Sequence, residues 1–222
     1  MKRISLALCC LYGLAIAADI AFIIDSYENA RWFSKPLLML ILIILYASET
    51  GISSVFSKIW LTALLFSWCG DVFLMIHGFF VQGLLAFLAA HFSYIIYIVR
   101  TNPQQKGPKK IKPLVVLFIV AYWFLCLAFL LPHVGNLKIP VTIYTTTICI
   151  FWILAVNLYQ KVDVTVAGLF ISGASLFVIS DTVLAVNSFV FPQALLPIIV
   201  MLTYTIAQFL LTLGSIRHLK NT

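Results

Sequence analysis

Apolar residues in this chain fall in long blocks, with neither the strict alternation of a half-buried strand nor the polar face of a surface helix. Against the roughly 20 residues that cross a hydrocarbon core, eight blocks predict membrane-spanning helices: 4–24, 36–48, 58–77, 79–99, 113–131, 139–159, 164–188 and 193–215. The second block is short unless it takes in Trp32 and Phe33 or runs past Glu49, and the third and fourth are separated by little more than Gly78. Pro36, Pro103, Pro108, Pro113, Pro132, Pro140 and Pro192 punctuate block starts and ends, where a missing N–H matters least. Pro197 lies inside the last block and predicts a kink there.

Composition turns this pattern into a class. With 63% hydrophobic and 9% charged residues in 222, and a mean hydropathy of +1.10, there are too few polar side chains to coat a soluble globule. The fold class is all-α, a polytopic membrane bundle of eight transmembrane helices in a single integral membrane domain over residues 1–222. Lys2-Arg3, the apolar stretch after it and Ala15-Ile16-Ala17 imitate a cleavable signal peptide. Apolar residues run on to Ile24, however, and the segment is read as the first span. Cys9, Cys10, Cys69, Cys126 and Cys149 all sit inside apolar runs without C-x-x-C spacing, as small core residues rather than a zinc site or disulfide framework.

A net charge of +7 could suit nucleic acid, but no basic face alternates with exposed aromatics, and the positive residues lie between apolar blocks. With the N-terminus in the cytoplasm, the inner segments hold Lys2, Arg3, Lys58, Arg100, Lys106, Lys109, Lys110, Lys112, Lys161, Arg217 and Lys220. The outer segments hold Arg31, Lys35 and Lys138, a split of 11 against 3. Positive residues stay inside, so both termini are expected to be cytoplasmic, in the plasma membrane or the inner membrane of a Gram-negative cell.

An internal echo runs through the chain. Tyr94 follows Asp71 by 23 residues and Tyr204 follows Asp181 by 23, while Phe79 and Phe189 each follow their aspartate by eight. Four spans per half make any repeat parallel, with halves 1–100 and 113–222 and the two aspartates at similar depth in the outer half of the bilayer.

Carboxylates at such depth are costly and usually functional, which singles out Asp71 and Asp181. If the repeat brings them together, two carboxyl groups in one low-dielectric site cannot both ionise cheaply, and an acid and a base become available side by side. His91 and Tyr94 lie three residues apart on the fourth helix, where a histidine can relay protons or meet a polar headgroup. Tyr204 and Gln208 share a face of the last helix and, with Asn187 and Tyr144, could line a polar pocket; such residues also serve as glue between membrane helices. Lys35, at the outer end of the second helix, could hold a phosphate or simply snorkel. His77, His133 and His218 lie near span ends and form no H-x-x-x-H pair, so no metal site is expected. No G-x-S-x-G elbow, phosphate loop or dinucleotide fingerprint occurs.

Taken in order and spacing, Lys35-Pro36, Gly70-Asp71-Val72-Phe73-Leu74-Met75, the helix from Gly83 through His91 to Tyr94, Ser180-Asp181-Thr182-Val183-Leu184-Ala185 and the Tyr204/Gln208 helix resemble the YhhN, or lysoplasmalogenase-like, membrane proteins. The resemblance runs from about residue 30 to residue 214. It implies an eight-helix bundle that hydrolyses the vinyl ether bond of lysoplasmalogen to a fatty aldehyde and glycerophosphoethanolamine or glycerophosphocholine, with no cofactor. Lysophospholipid and membrane lipids are then the partners, without nucleic acid, and another lysolipid or ether remains open as natural substrate. Vinyl ether hydrolysis needs protonation at carbon, addition of water to the oxocarbenium ion and collapse of the hemiacetal. One aspartate can supply the proton while the other stabilises the cation and activates water. A proton-coupled small-molecule or lipid carrier using the same aspartates is the alternative reading.

Overall fold

The computed structural model describes residues 3–101 and 113–221; Pro103, Pro108 and the basic residues Lys2, Lys106, Lys109, Lys110 and Lys112 lie outside them. All described secondary structure is helical: α1 (Arg3–Ile24), α2 (Glu28–Thr50), α3 (Val55–Met75), α4 (Phe80–Arg100), α5 (Pro113–Leu130), α6 (Lys138–Asn157), α7 (Val164–Phe189) and α8 (Leu196–Asn221). Short 3-10 turns, Gly135–Leu137 and Leu158–Gln160, lead into and out of α6. Eight of these helices are long and apolar enough to cross a membrane, and the chain is an integral membrane protein.

Two boundaries differ from the sequence expectation, both at prolines. Pro36 lies well inside α2 rather than at its start, because the helix begins at Glu28 and takes in Trp32 and Phe33. Both aromatics are exposed on its lipid-facing side, Phe33 by 81%. A proline within a membrane helix is tolerated where neighbouring groups take up the freed carbonyl. Pro197 is the second residue of α8, in a first turn whose N–H groups lack intrahelical partners anyway, so the expected kink has no cause. The same helix runs on to Asn221, beyond the apolar block, with its polar end carried by Arg217, His218 and Lys220.

Local signals close the shorter connections. Ser54 caps α3 by accepting from the Ser57 backbone N–H at 2.9 Å, and Asp163 caps α7 through the Thr165 N–H at 2.9 Å. Gly51, at φ +68°, ends α2 in a conformation that side chains with a Cβ avoid.

The chain forms two compact units, Met1–Tyr94 with Leu219–Thr222, and Ile95–His218. In a bilayer, apolarity does not separate the inside of a bundle from its outside, and small residues and polar contacts do that work. In the first unit, Gly70 of α3 lies against the Phe87 ring of α4, so close that an added Cβ would stand 2.6 Å from it. Gly83 of α4 meets Leu74 in the same way at 2.7 Å. The buried residues of α2 (Leu38, Met39, Leu42, Leu45, Tyr46) and of α3 (Trp60, Ala63, Leu64) fill this interior at helical spacing. In the second unit, a Cβ added at Gly173 of α7 would stand 2.7 Å from Leu211 of α8, Trp123 donates to Thr146 Oγ1 at 3.0 Å, and Trp152 donates to Ser175 Oγ at 2.8 Å. Leu114 and Ile139 are more than 70% exposed, as lipid-facing side chains are.

Candidate functional site

In the first unit, the buried row of α3 ends on Asp71, which is almost wholly buried. Its Oδ1 lies 3.7 Å from Lys35 Nζ of α2, and the lysine side chain is itself only 13% exposed. Extension of α2 back to Glu28 is what puts Lys35 within the helix and gives it this reach. Tyr12 of α1 interacts electrostatically with Asp71 and with Tyr94. Tyr94 and His91, both fully buried on α4, stand with ring centroids 6.1 Å apart, edge to face. The tyrosine hydroxyl is 3.5 Å from Ser67 Oγ, and its ring packs on Trp60 at 4.8 Å. His91 Nδ1 lies 2.8 Å from the Phe87 carbonyl; a carbonyl can only accept, so Nδ1 carries a proton and donates. Four helices thus converge on one interior with a carboxylate, an ammonium, an imidazole and three hydroxyls.

The second unit has its own polar centre. Tyr144 of α6 donates to Asp181 Oδ2 of α7 at 2.5 Å. On the next residue, Thr182 donates to the Val178 carbonyl at 2.7 Å, so in the hydrogen bond between Tyr122 and Thr182 the tyrosine is the donor. Ser180 donates to the Val200 carbonyl of α8 at 3.1 Å, which turns its hydroxyl to backbone. Tyr204 packs edge-on against Phe177, centroids 5.5 Å apart, and Gln208 Nε2 is 3.5 Å from the Tyr204 hydroxyl. Asn187 Oδ1 accepts from the Gln193 backbone N–H at 3.1 Å and so braces the connection between α7 and α8.

Of the residues singled out from the sequence, Asp71 meets Lys35, His91 meets Tyr94, Asp181 meets Tyr144, and Tyr204 meets Gln208. Besides Asp71, a second buried carboxylate is not among them, and Asp181 itself is only half-buried. Asp19 of α1 has no exposed surface; it accepts from Ser34 Oγ at 2.6 Å and faces Arg31 Nε at 3.5 Å. Its signal is spacing, since Ser5, Tyr12 and Asp19 recur every seven residues along the buried stripe of an apolar helix. At the other end of α2, Glu49 accepts from Ser5 and from Lys220.

The model of the YhhN family matches residues 30–215. Among curated proteins, Lysoplasmalogenase TMEM86A of Bos taurus is 31% identical over 163 residues, 69% of this chain and 63% of that protein. Lysoplasmalogenase TMEM86B of Homo sapiens is 34% identical over 158 residues, 70% of this chain and 62% of that protein. The Rattus norvegicus TMEM86B is 30% identical over 195 residues, 86% and 75%. The matched stretch covers less than two thirds of the bovine and human proteins. No solved structure matches.

Proposed function

The chain belongs to the YhhN family, and from that premise we propose that it is a membrane-embedded hydrolase of lysolipids, cleaving the vinyl ether bond of lysoplasmalogen to a fatty aldehyde and glycerophosphoethanolamine or glycerophosphocholine. The observation that carries this reading is the presence of intramembrane aspartates set among hydroxyl and ammonium donors, in a chain whose matched relatives are named lysoplasmalogenases. The reaction needs a proton delivered to carbon, a stabilised oxocarbenium ion and an activated water, and no covalent nucleophile. Asp71 and Asp181 are the candidate acid and base groups. Lys35 receives the phosphate, and His91, Tyr94, Tyr144, Asn187, Tyr204 and Gln208 orient substrate or water. The protein sits in the plasma membrane with both termini cytoplasmic, on the 11-to-3 split of positive residues.

The test is aldehyde release from lysoplasmalogen by protein purified in detergent. Asp71→Asn and Asp181→Asn should each lower the rate, per folded protein as measured by circular dichroism, by about 100-fold or more, the range of general acid–base contributions. Full activity in either variant removes that aspartate from the mechanism. Transport of intact substrate across vesicles, driven by a pH gradient and without aldehyde release, would replace the hydrolase by a carrier.

A further inference from the structure

Asp19 takes no part in the chemistry above, yet it is fully buried five residues before α1 ends. Its Oδ1 is shared between Ser34 and Arg31, and its Oδ2 is buried with no hydrogen-bond partner among the described residues. A carboxylate so placed needs a cation that stays put. Arg31 provides it from the first turn of α2 while its side chain remains about a quarter exposed. One turn on, at i+4, Lys35 repeats the arrangement with Asp71 of α3. Two cations therefore lie one above the other on α2, each tied by an aspartate of a flanking helix, near the end of the helix whose backbone N–H groups favour anions. Beside them Trp32 and Phe33 are exposed, as side chains at a membrane interface are.

We infer that Arg31 and Lys35 together form a clamp for the phosphate of a single-chain phospholipid at the membrane interface, with Asp19 and Ser34 as positioning residues that hold the Arg31 fork. The inference rests on the lysolipid reading above and adds the recognition of its headgroup. Asp19 faces the guanidinium through Nε at 3.5 Å while the arginine side chain stays about a quarter exposed, so a second oxyanion can approach it. Lysine adds a point charge to that planar fork, and the pair suits the two non-bridging oxygens of a phosphodiester. Asp19 lies on α1, ahead of the residues 30–215 that the family model matches.

The test uses the full chain in neutral detergent and probes that turnover cannot consume: a saturated 1-alkyl lysophosphocholine, the monoalkyl glycerol of the same chain length, and inorganic phosphate. The wild type should bind the phospholipid at least about tenfold tighter than the alkyl glycerol, as a paired charge contact allows. Arg31→Lys keeps a cation beside Asp19 and loses the fork, and should weaken phospholipid binding several-fold while leaving alkyl glycerol binding unchanged. Arg31→Gln combined with Asp19→Asn strands no buried charge and should abolish the headgroup preference. In aldehyde release, Asp19→Asn should raise KM with kcat unchanged, and should add nothing in the Arg31→Gln background. Wild-type headgroup preference in both Arg31 variants overturns the clamp. Millimolar inorganic phosphate displacing the lipid outright, with no dependence on the alkyl chain, overturns its assignment to a lipid. A headgroup preference that follows these variants in a protein releasing no aldehyde would sink the hydrolase reading alone.

Discussion

Lys35 and Asp71 are both largely withdrawn from solvent and 3.7 Å apart, so each charge sits beside an opposite one. Removing one partner of a buried pair costs about 3–5 kcal/mol, because the remaining charge is stranded. Lys35→Met should therefore lower the thermal midpoint in detergent sharply, and Asp71→Asn in that background should restore part of it; additive losses would show that the two side chains are not coupled. Tyr144 and Tyr122 make a sharper contrast. Tyr144→Phe removes a donor to the Asp181 carboxylate and should cost about 1.5–3 kcal/mol together with most of the aldehyde release. Tyr122→Phe removes a donor to Thr182, one residue along α7, and should cost stability while leaving turnover near wild type. Equal activity in both variants would separate Tyr144 from the reaction. Asp71 and Asp181 were legible in the sequence because each interrupts an otherwise apolar block. Asp19 was not, since it lies near a block's end and its partners Arg31 and Ser34 come within reach only when α1 and α2 fold side by side.

At the scale of helices, hydropathy sufficed to count the spans and failed where an interface residue or a proline decided the boundary. The block from Pro36 is short unless it takes in Trp32 and Phe33 or runs past Glu49, and α2, from Glu28 to Thr50, does both, with the two aromatics exposed. Pro197 read as a kink because the apolar run began earlier than the helix. Which face of each helix turns inward was beyond hydropathy, since leucine serves lipid and core alike; the glycines reveal it. Gly70 and Gly83 admit Phe87 and Leu74 where no Cβ would fit, and Gly173 admits Leu211. Gly70→Ala and Gly83→Ala should each destabilise by about 1–3 kcal/mol through overpacking, read as a lower midpoint in thermal unfolding. Gly168→Ala on α7 meets nothing within 4 Å and should stay within about 0.5 kcal/mol of wild type. A loss at Gly168 as large as at Gly70 would mean that close approach does not set the cost, since alanine is the better helix former at both positions.

On the proposed topology, the eight spans among the described residues return both ends of this chain to one side of the membrane, and the positive-inside rule assigns that side. The rule counts lysine and arginine in short segments near span ends, and Arg31, Lys35 and Lys138 are the outer residues it has to tolerate. Two of these three are held by buried aspartates on their own helical neighbours, so they oppose the orientation less than their number suggests. Single cysteines in a cysteine-free background test this directly. Asn136→Cys, in the exposed turn before α6, should react with a membrane-impermeant maleimide in intact cells. Ser53→Cys, in the exposed connection between α2 and α3, should react only after permeabilisation. The opposite labelling pattern would invert the bundle, and Arg31 and Lys35 would then meet a headgroup of the cytoplasmic leaflet. Labelling of both positions in intact cells would break the count of spans between them, since α3, α4 and α5 must cross three times to carry the chain from one to the other.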